Sequence, residues 1–496
     1  MKYITRFLIV VLAVGVVSCS DEFLESEPTE FISAERMSEV GPYNPDLFNG
    51  MVSGLYSLMY QTGTGGTDLD HDDFGQKSWD IYSGILSGNM SLAGYNYGWY
   101  SDVAKLVSSV DNTNNDNYKP WRYYYRIIRG ANTIIDGLGG NEADPETDTE
   151  RWQLGQAKTM RAYAYFYLAN LFGNEYDPAA EILPIYTSTE QTSQPLSPAS
   201  DVYDLIKSDL EHSVQLLEGY SRTGLQQVNV DVANGLLAYT YLTMGEYENA
   251  SATAQEVIDA GYSIVPYDKV AVGGEVPRNA FSYIDGDGAD WIWGMDLTLD
   301  QGLDLVSFWG QVDVFTYSYA AVGDPKTMDA GLYNSIPETD ERKDWFGPHP
   351  WYGIPRCPLN KFYHEDRAVM NQREVTADYV YMRVEEMYLI KAEAEAFAND
   401  DAAAQTALET LVEQRDSDTD YISSLTGQDL KDEIYKQWRI EMWGEGKSYM
   451  ALKRFEKDVY RQGHIDYNEV AIPYNDNRIT MEIPYQEIQD NPNITQ

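Results

Sequence analysis

From residue 230 to 261 the apolar positions repeat with the period of a helix, not of a strand. Val232, Leu236, Leu237, Tyr241 and Leu242 recur at three- and four-residue gaps, which predicts a helix with one buried face. Gly245 and Glu246 interrupt the run. A second helix is predicted through Ala250, Ala254, Val257 and Ile258, with Gly261 as its C-terminal cap. Ala238, Ala250 and Ala254 are small where the two helices must meet. The series Leu237-Ala238, Tyr241, Gly245, Tyr247, Ala250 is close to the tetratricopeptide pattern. One such hairpin cannot bury its own apolar face, so further hairpins must stack on it. Residues 389–415 repeat the design, with Ala392, Ala404 and Leu408 at the offsets of Ala238, Ala250 and Ala254. Looser pairs are predicted from 121–138 with 156–172, and from 430–455 with the helix before it.

Helices are also predicted over 47–60 and 202–217, the latter capped by Ser200 or Asp201. Between 61 and 101, and again between 262 and 378, the periodicity is lost. Both stretches are rich in glycine, aspartate and aromatic residues. Long irregular segments are usually functional or disordered, and the rings argue for function. Residues 177–198 read as a proline-punctuated crossing, and 479–483 as a short strand-like piece. The expected architecture is all-α, with tetratricopeptide-type hairpins mainly at 120–261 and 379–460. An irregular lobe is formed by 61–101 and 262–378, within one domain over 19–496.

Composition narrows the partners. The 79 acidic residues outnumber the 35 basic ones, for a net charge of -44. Nucleic acid needs clustered cations and is excluded as a partner. Anionic polysaccharides are disfavoured for the same reason, although a local basic pocket stays compatible with the sequence. The chain opens with Lys2 and Arg6, then an apolar run over 7–17, then Ser18-Cys19. That run has the length of a signal-peptide core and is too short to span a bilayer. A small residue before a cysteine is the mark of a bacterial lipoprotein signal, so residues 1–18 are expected to be removed and Cys19 lipidated. Acyl chains there would hold the protein at a membrane. Cys357 is then the remaining thiol, expected to be inert.

Several motifs together resemble the SusD/RagB family of outer-membrane nutrient-binding lipoproteins. They are Arg161-Ala162-Tyr163-Ala164-Tyr165-Phe166 with Leu171-Phe172-Gly173; Val202-Tyr203-Asp204-Leu205-Ile206; Met382-Arg383-Val384-Glu385-Glu386 running into Ala394; Arg439-Ile440-Glu441-Met442-Trp443-Gly444-Glu445-Gly446; and Ile483-Pro484. Gln437-Trp438 and Lys447 depart from the family pattern, within the scaffold. Arg383, Glu393, Arg439, Glu441, Glu445 and Arg454 are read as interhelical ion pairs and hydrogen bonds rather than catalytic groups. The resemblance implies a surface-exposed lipoprotein, and Ser20-Asp21-Glu22 resembles the acidic export tag of Bacteroides-like bacteria. It also implies a partner: a SusC-like TonB-dependent outer-membrane transporter, over which the protein acts as a lid.

By position in that family pattern, Trp99 and Tyr97 are expected as rings that stack on a neutral glycan. Asn96, Asp73 and Asp102 are expected as polar contacts, with Trp309, Tyr317 and Tyr319 from the lobe. Trp121 and Trp152 are expected in the core. A peptide ligand, as for RagB-like members, is the alternative cargo. An all-helical glycosidase is a remote one, because no nucleophile elbow, phosphate loop or zinc motif is present. No cofactor is implied. Structural calcium at Asp68, Asp70 and Asp72 or at Asp285-Gly286-Asp287 is left open. Asp73 stands where such a loop needs glycine, and its twelfth position carries no glutamate.

Overall fold

The computed structural model describes residues 45–494 except 69, 272–277, 287, 289 and 372. The signal peptide, Cys19, the acidic tag and Asp287 lie outside the described residues. Helix dominates, as the periodicity predicts. The long helices are α1 (Pro45–Leu58), α2 (Gln76–Leu86), α3 (Asn115–Gly137), α4 (Asp148–Phe172), α5 (Ala199–Leu216), α6 (Val230–Met244), α7 (Tyr247–Asp259), α8 (Val384–Phe397), α9 (Asp401–Val412), α10 (Gly427–Glu441) and α11 (Lys447–Arg454). From α3 to α9 each helix packs on the next, across the lobe insertion between α7 and α8.

The hairpin α6–α7 forms for the reasons its sequence gives. Asn229 caps α6 by accepting the Val232 N–H, and Gly245 closes it in the left-handed region at φ 77°. Ala238, Ala250 and Ala254 are fully buried, as are Ala392, Ala404 and Leu408 of the α8–α9 hairpin. Three local expectations fail. α5 begins at Ala199 behind Pro198 with no side-chain cap, and Asp201 sits in its first turn instead. The helix expected over 430–455 is broken into α10 and α11 by a turn at residues 442–446. Gly444 and Gly446 have φ of 79° and 78°, and a Cβ on either would lie 2.6 Å from Phe362 or 2.7 Å from Asp80. Residues 480–483 form no strand; a 3₁₀ turn covers Asn477–Ile479.

The segment 61–101, expected to be irregular throughout, contains α2, all of whose residues are buried. It stands upright in the core, where its period is masked by neighbours on every side. Short antiparallel pairs sew the irregular segments to each other and to the scaffold. β1 (Met90–Leu92) and β2 (Trp291–Met295) precede β3 (Lys326–Met328) and β4 (Tyr379–Arg383). β1 pairs with β3, and β2 pairs with β4. The first pairing brings the two irregular segments side by side; the second leads directly into α8.

Beneath these pairings lies a buried ionic knot. Arg383, at the end of β4, binds Glu445 at 3.0 Å, Glu385 at 3.1 Å and Glu441 at 3.2 Å. Arg415 binds Glu385 at 2.7 Å and Glu441 at 2.9 Å. The lobe contributes Arg342 to Glu441 at 3.1 Å, Lys361 to Glu445 at 2.7 Å, and Asp290 at 3.4 Å from Arg383. Burial alone would raise the Glu445 carboxyl, but Arg383 and Lys361 outweigh it and hold it down to about 2. Asp290 goes the other way, because burial and the Glu385 carboxylate push it well up. The ion pairs expected at Arg383, Glu441 and Glu445 are thus present, as is Arg454 with Glu393 at 2.6 Å. Arg439 differs: it bonds the Asn89 side chain at 2.7 Å.

Removing the hub strands several carboxylates without a counter-charge. Arg383→Met is expected to lower the unfolding free energy by about 3–5 kcal/mol in urea denaturation. Arg383→Lys should recover only part of that loss, since an ammonium cannot reproduce the planar fork.

Candidate functional site

The loop after β1 turns its rings alternately outward and inward. Tyr97 is 50% exposed and Trp99 is half-buried, whereas Tyr100 is buried. Tyr100 has φ 64°, a left-handed conformation rare for a bulky residue, and it anchors the turn. Its hydroxyl lies 3.2 Å from Ser78 Oγ, and the Lys326 ammonium sits 5.0 Å from its ring centre. The neighbouring lobe loop is held by Asp313, which accepts the Phe315 N–H at 2.9 Å, the His364 N–H at 3.1 Å and the Thr316 hydroxyl at 2.5 Å. Burial raises the Asp313 carboxyl to about 6 despite those donors. This anchored loop carries Tyr317 and Tyr319.

The two loops meet in a cluster of rings. Tyr319 lies 4.8 Å from Tyr97 and 6.4 Å from Trp99. His71 stacks on Trp99 at 5.0 Å and 3° between planes, and its Nδ1 is 2.5 Å from the Tyr319 hydroxyl. Gln311 ties this corner down by donating to the His71 carbonyl at 2.7 Å while accepting from Lys326 at 2.5 Å. Burial holds the His71 imidazole below its ordinary range, against the pull of Asp70. Beside His71 opens a cleft of about 550 Å³, walled by Tyr60, Gln61, Asp304 and Arg373 among others. Arg373 lies over the Tyr317 ring at 5.1 Å and pairs with Asp304 at 2.9 Å.

The shelf extends on the other side of Tyr97. Asp324 accepts the Tyr97 N–H at 3.4 Å. Gly323, at φ 97°, lets the Tyr352 ring lie 3.3 Å from the position of a Cβ. His349 fixes this edge: Nδ1 accepts the Trp351 N–H at 3.1 Å, so Nε2–H donates to Ala320 O at 2.9 Å. Trp351 and Tyr352 are left 58% and 54% exposed. The result is an open row of rings next to a polar cleft.

This arrangement sorts the expected residues. Trp99, Tyr97, Tyr319 and Tyr317 come together, with the exposed Asn96 beside them. Three do not belong. Trp309 is sealed in the core against Phe308 and Phe362. Asp73 is fully buried and folds its own loop, accepting from Gly65 N at 2.8 Å and Thr67 Oγ1 at 2.9 Å. Asp102 accepts from Asn114 at 2.9 Å and braces the start of α3. The aspartates considered for calcium do not form a cation cage: Asp70, Asp72 and Asp116 converge on the Lys119 ammonium at 2.7–2.9 Å. Sequence reasoning missed His71, Asp304, Arg373 and Tyr60, and passed over Trp351 and Tyr352, although these two stand together in the Gly- and Pro-rich stretch 347–355.

Residues 64–242 match a family model described as starch-binding, associating with outer membrane. Residues 315–496 match the model of the SusD family. SusD-like protein P38 of Formosa agariphila is 22% identical across 100% of this chain and 98% of its own length. The chain belongs to the SusD/RagB family. Among SusD-like relatives, P25 of Formosa agariphila is 30% identical over 35% of the chain, and a Bacteroides ovatus protein 24% identical over 31%. These two alignments span 31% and 32% of the relatives, about a third of each. A SusD-like carbohydrate binding protein from Bacteroides vulgatus has the same fold, with TM-score 0.75 at 23% identity over 94% of this chain and 98% of that one. A SusD superfamily protein from Bacteroides thetaiotaomicron gives 0.74 at 22% identity, over 91% and 99%. The SusD-like helical fold is therefore the one observed.

The stacked His71–Trp99 pair supplies its own reporter, because an imidazolium quenches an adjacent indole. Burial lowers the His71 pKa, so quenching should set in only below about pH 6.5. The difference in fluorescence between the wild type and Trp99→Phe, followed from pH 7.5 to 4.5, is expected to fall with a midpoint on the acid side of that value. It should stay flat in His71→Gln.

Proposed function

We propose that this SusD-like protein binds neutral glycans on its aromatic shelf at the cell surface and passes them, uncut, to a SusC-like TonB-dependent transporter. The observation that carries the reading is the set of accessible rings Trp99, Tyr97, Tyr352 and Trp351, with the buried Tyr319 packed against Tyr97 and Trp99, beside the Asp304–Arg373 cleft. Sugar rings offer apolar C–H faces to such aromatics and hydroxyls to the polar groups around them. The carboxylates nearby favour hydroxyl-rich over anionic ligands. The names of the Bacteroides vulgatus neighbour and of the starch-binding family model point the same way.

Retention is the proposed role, not cleavage. The carboxylates at the shelf are engaged in fixing it: Asp304 by Arg373, Asp324 by the Tyr97 backbone. A lipid on Cys19 would hold the protein at the outer membrane, and the stacked hairpins would offer the transporter a rigid face.

Affinity electrophoresis over a panel of neutral polysaccharides should show retention of the wild type. Tyr97→Ala and Trp99→Ala should each weaken it about tenfold, as loss of a central aromatic anchor does. Incubation with the retained glycan should produce no new reducing ends; their appearance would favour a hydrolase. Retention of peptides and of no polysaccharide would transfer the shelf to peptide uptake.

Membrane attachment is tested separately. The full chain expressed in a Bacteroides host should partition into detergent with a TonB-dependent barrel bound to it, and Cys19→Ala should remain in the aqueous phase. A Cys19→Ala protein that still enters the detergent phase would refute the anchor.

A further inference from the structure

A second concave site lies on the scaffold, built from none of the shelf residues. α3 sets Tyr118, Trp121, Tyr125 and Arg129 along one side of a cleft of about 270 Å³. That volume is near the lower end of small-ligand pockets, room for about one ring. The 177–198 crossing supplies the opposite wall through Tyr186, and the C-terminal turn at Tyr485–Asp490 closes one end with Glu487. Trp121 is the floor, 4.8 Å from Tyr125, and Tyr186 meets Tyr125 edge-on at 5.9 Å. Tyr118, Tyr125 and Tyr186 are half-buried, so parts of their rings face the opening.

The cleft is preformed. Tyr125 donates to Pro184 O at 2.8 Å, and Asn132 donates to Tyr186 O at 2.9 Å. The acids around it already have partners. Glu487 accepts from Trp121 Nε1 at 3.3 Å and from Asn491 at 2.9 Å. Asp136 accepts from the Ser188 hydroxyl at 3.1 Å and the Thr189 N–H at 2.7 Å. Arg129 has none. Together with Arg122 and Arg126 it occupies one face of α3, at the i, i+4, i+7 spacing. All three are exposed, and none forms an ion pair with a described residue. In a chain of net charge -44 this is a local basic stripe, and it ends on an aromatic cleft.

We propose that this cleft is a second binding site, specific for a sugar ring that bears a carboxylate. Tyrosine faces take the C–H side of the ring, and the Arg129 guanidinium takes the carboxylate through two parallel hydrogen bonds. A neutral ring would gain the stacking alone and leave Arg129 unmatched. The site is thereby complementary to the shelf, whose carboxylates disfavour an acidic ligand.

Isothermal titration of the purified mature protein with trigalacturonate tests this, with maltotriose as the neutral comparator. Trigalacturonate should bind the wild type, and Arg129→Gln and Tyr118→Ala should each weaken it about tenfold or more. Trp99→Ala should leave trigalacturonate binding unchanged, which separates this site from the shelf. Added salt should weaken binding to the wild type and have little effect on Arg129→Gln. Arg129 is exposed, so its substitution does not put the fold at issue. Absence of trigalacturonate binding, equal affinity in Arg129→Gln, or loss of binding in Trp99→Ala would each overturn the proposal. The last result would send the acidic sugar to the shelf, while a shelf that binds no neutral glycan would leave the second site standing.

Discussion

The structure depends on an interior charge cluster that would be ruinous if any one member were missing. Arg383 stands where β4 becomes α8, so it belongs to the irregular lobe's sheet and to the helical scaffold at once. Its carboxylate partners come from α8, from the end of α10 and from the turn after it. Arg342 and Lys361 reach the same carboxylates from the lobe. Four cations meet Asp340, Glu385, Glu441 and Glu445, while burial and the Glu385 carboxylate push the Asp290 carboxyl well up. Apolar residues of equal volume could match such a cluster in stability. What they could not supply is register: each carboxylate accepts from defined donors, so the lobe can seat on the helices in only one way.

That register matters because the shelf is made of parts that do not support one another locally. The loop bearing Tyr97 and Trp99 hangs from β1, and the loop bearing Tyr317 and Tyr319 precedes β3. The β1–β3 pairing, the Asp324 carboxylate on the Tyr97 N–H and the Gln311 bridge to His71 hold them together. The strand pair is three residues long on each side and could not persist alone in water. It persists because α2 stands fully buried behind it and Lys326, held down to about 8 by burial against the pull of Asp324, fills the space between. The exposed rings are thus positioned by polar groups buried beneath them.

The same construction explains which parts of the molecule could be read from its sequence. Helices that pack on one face repeat their apolar residues every three or four positions, so α3 to α9 were legible, down to the alanines at the contacts. α2 was not, since it buries Gln76, Lys77, Ser78 and Asp80, polar residues that a sequence pattern assigns to solvent. The loop rings were legible as a group because nothing else accounts for so many of them in aperiodic sequence. Their individual fates were not. Trp309 and Trp99 lie in similar local sequence, yet one packs between Phe308 and Phe362 and the other lies half-open on His71. That difference is made by β1–β3 pairing across more than two hundred residues, and no local pattern encodes it. Asp73 and Asp102 misled for a related reason. Acidic residues in loops serve the backbone as readily as they serve a ligand, and both accept hydrogen bonds that shape their own turns.

Charge follows a similar logic at the scale of the whole surface. Lysines and arginines are drawn inward: Lys77, Lys119, Lys158, Lys326, Lys361, Lys447 and Lys453 are all buried, as are Arg161, Arg342, Arg383, Arg415 and Arg461. These cations hold the fold together with buried carboxylates such as Asp72, Asp209, Asp340, Glu441 and Glu445. The excess of acids therefore stays on the exterior, and such a field repels anionic polymers wherever it is not locally reversed. An arginine row on that exterior with no ion pair to a described residue has little to gain from the fold. It runs along α3 from the Gly66 carbonyl that Arg122 meets to the aromatic cleft beside Arg129, and there it locally opposes the general repulsion of acidic ligands.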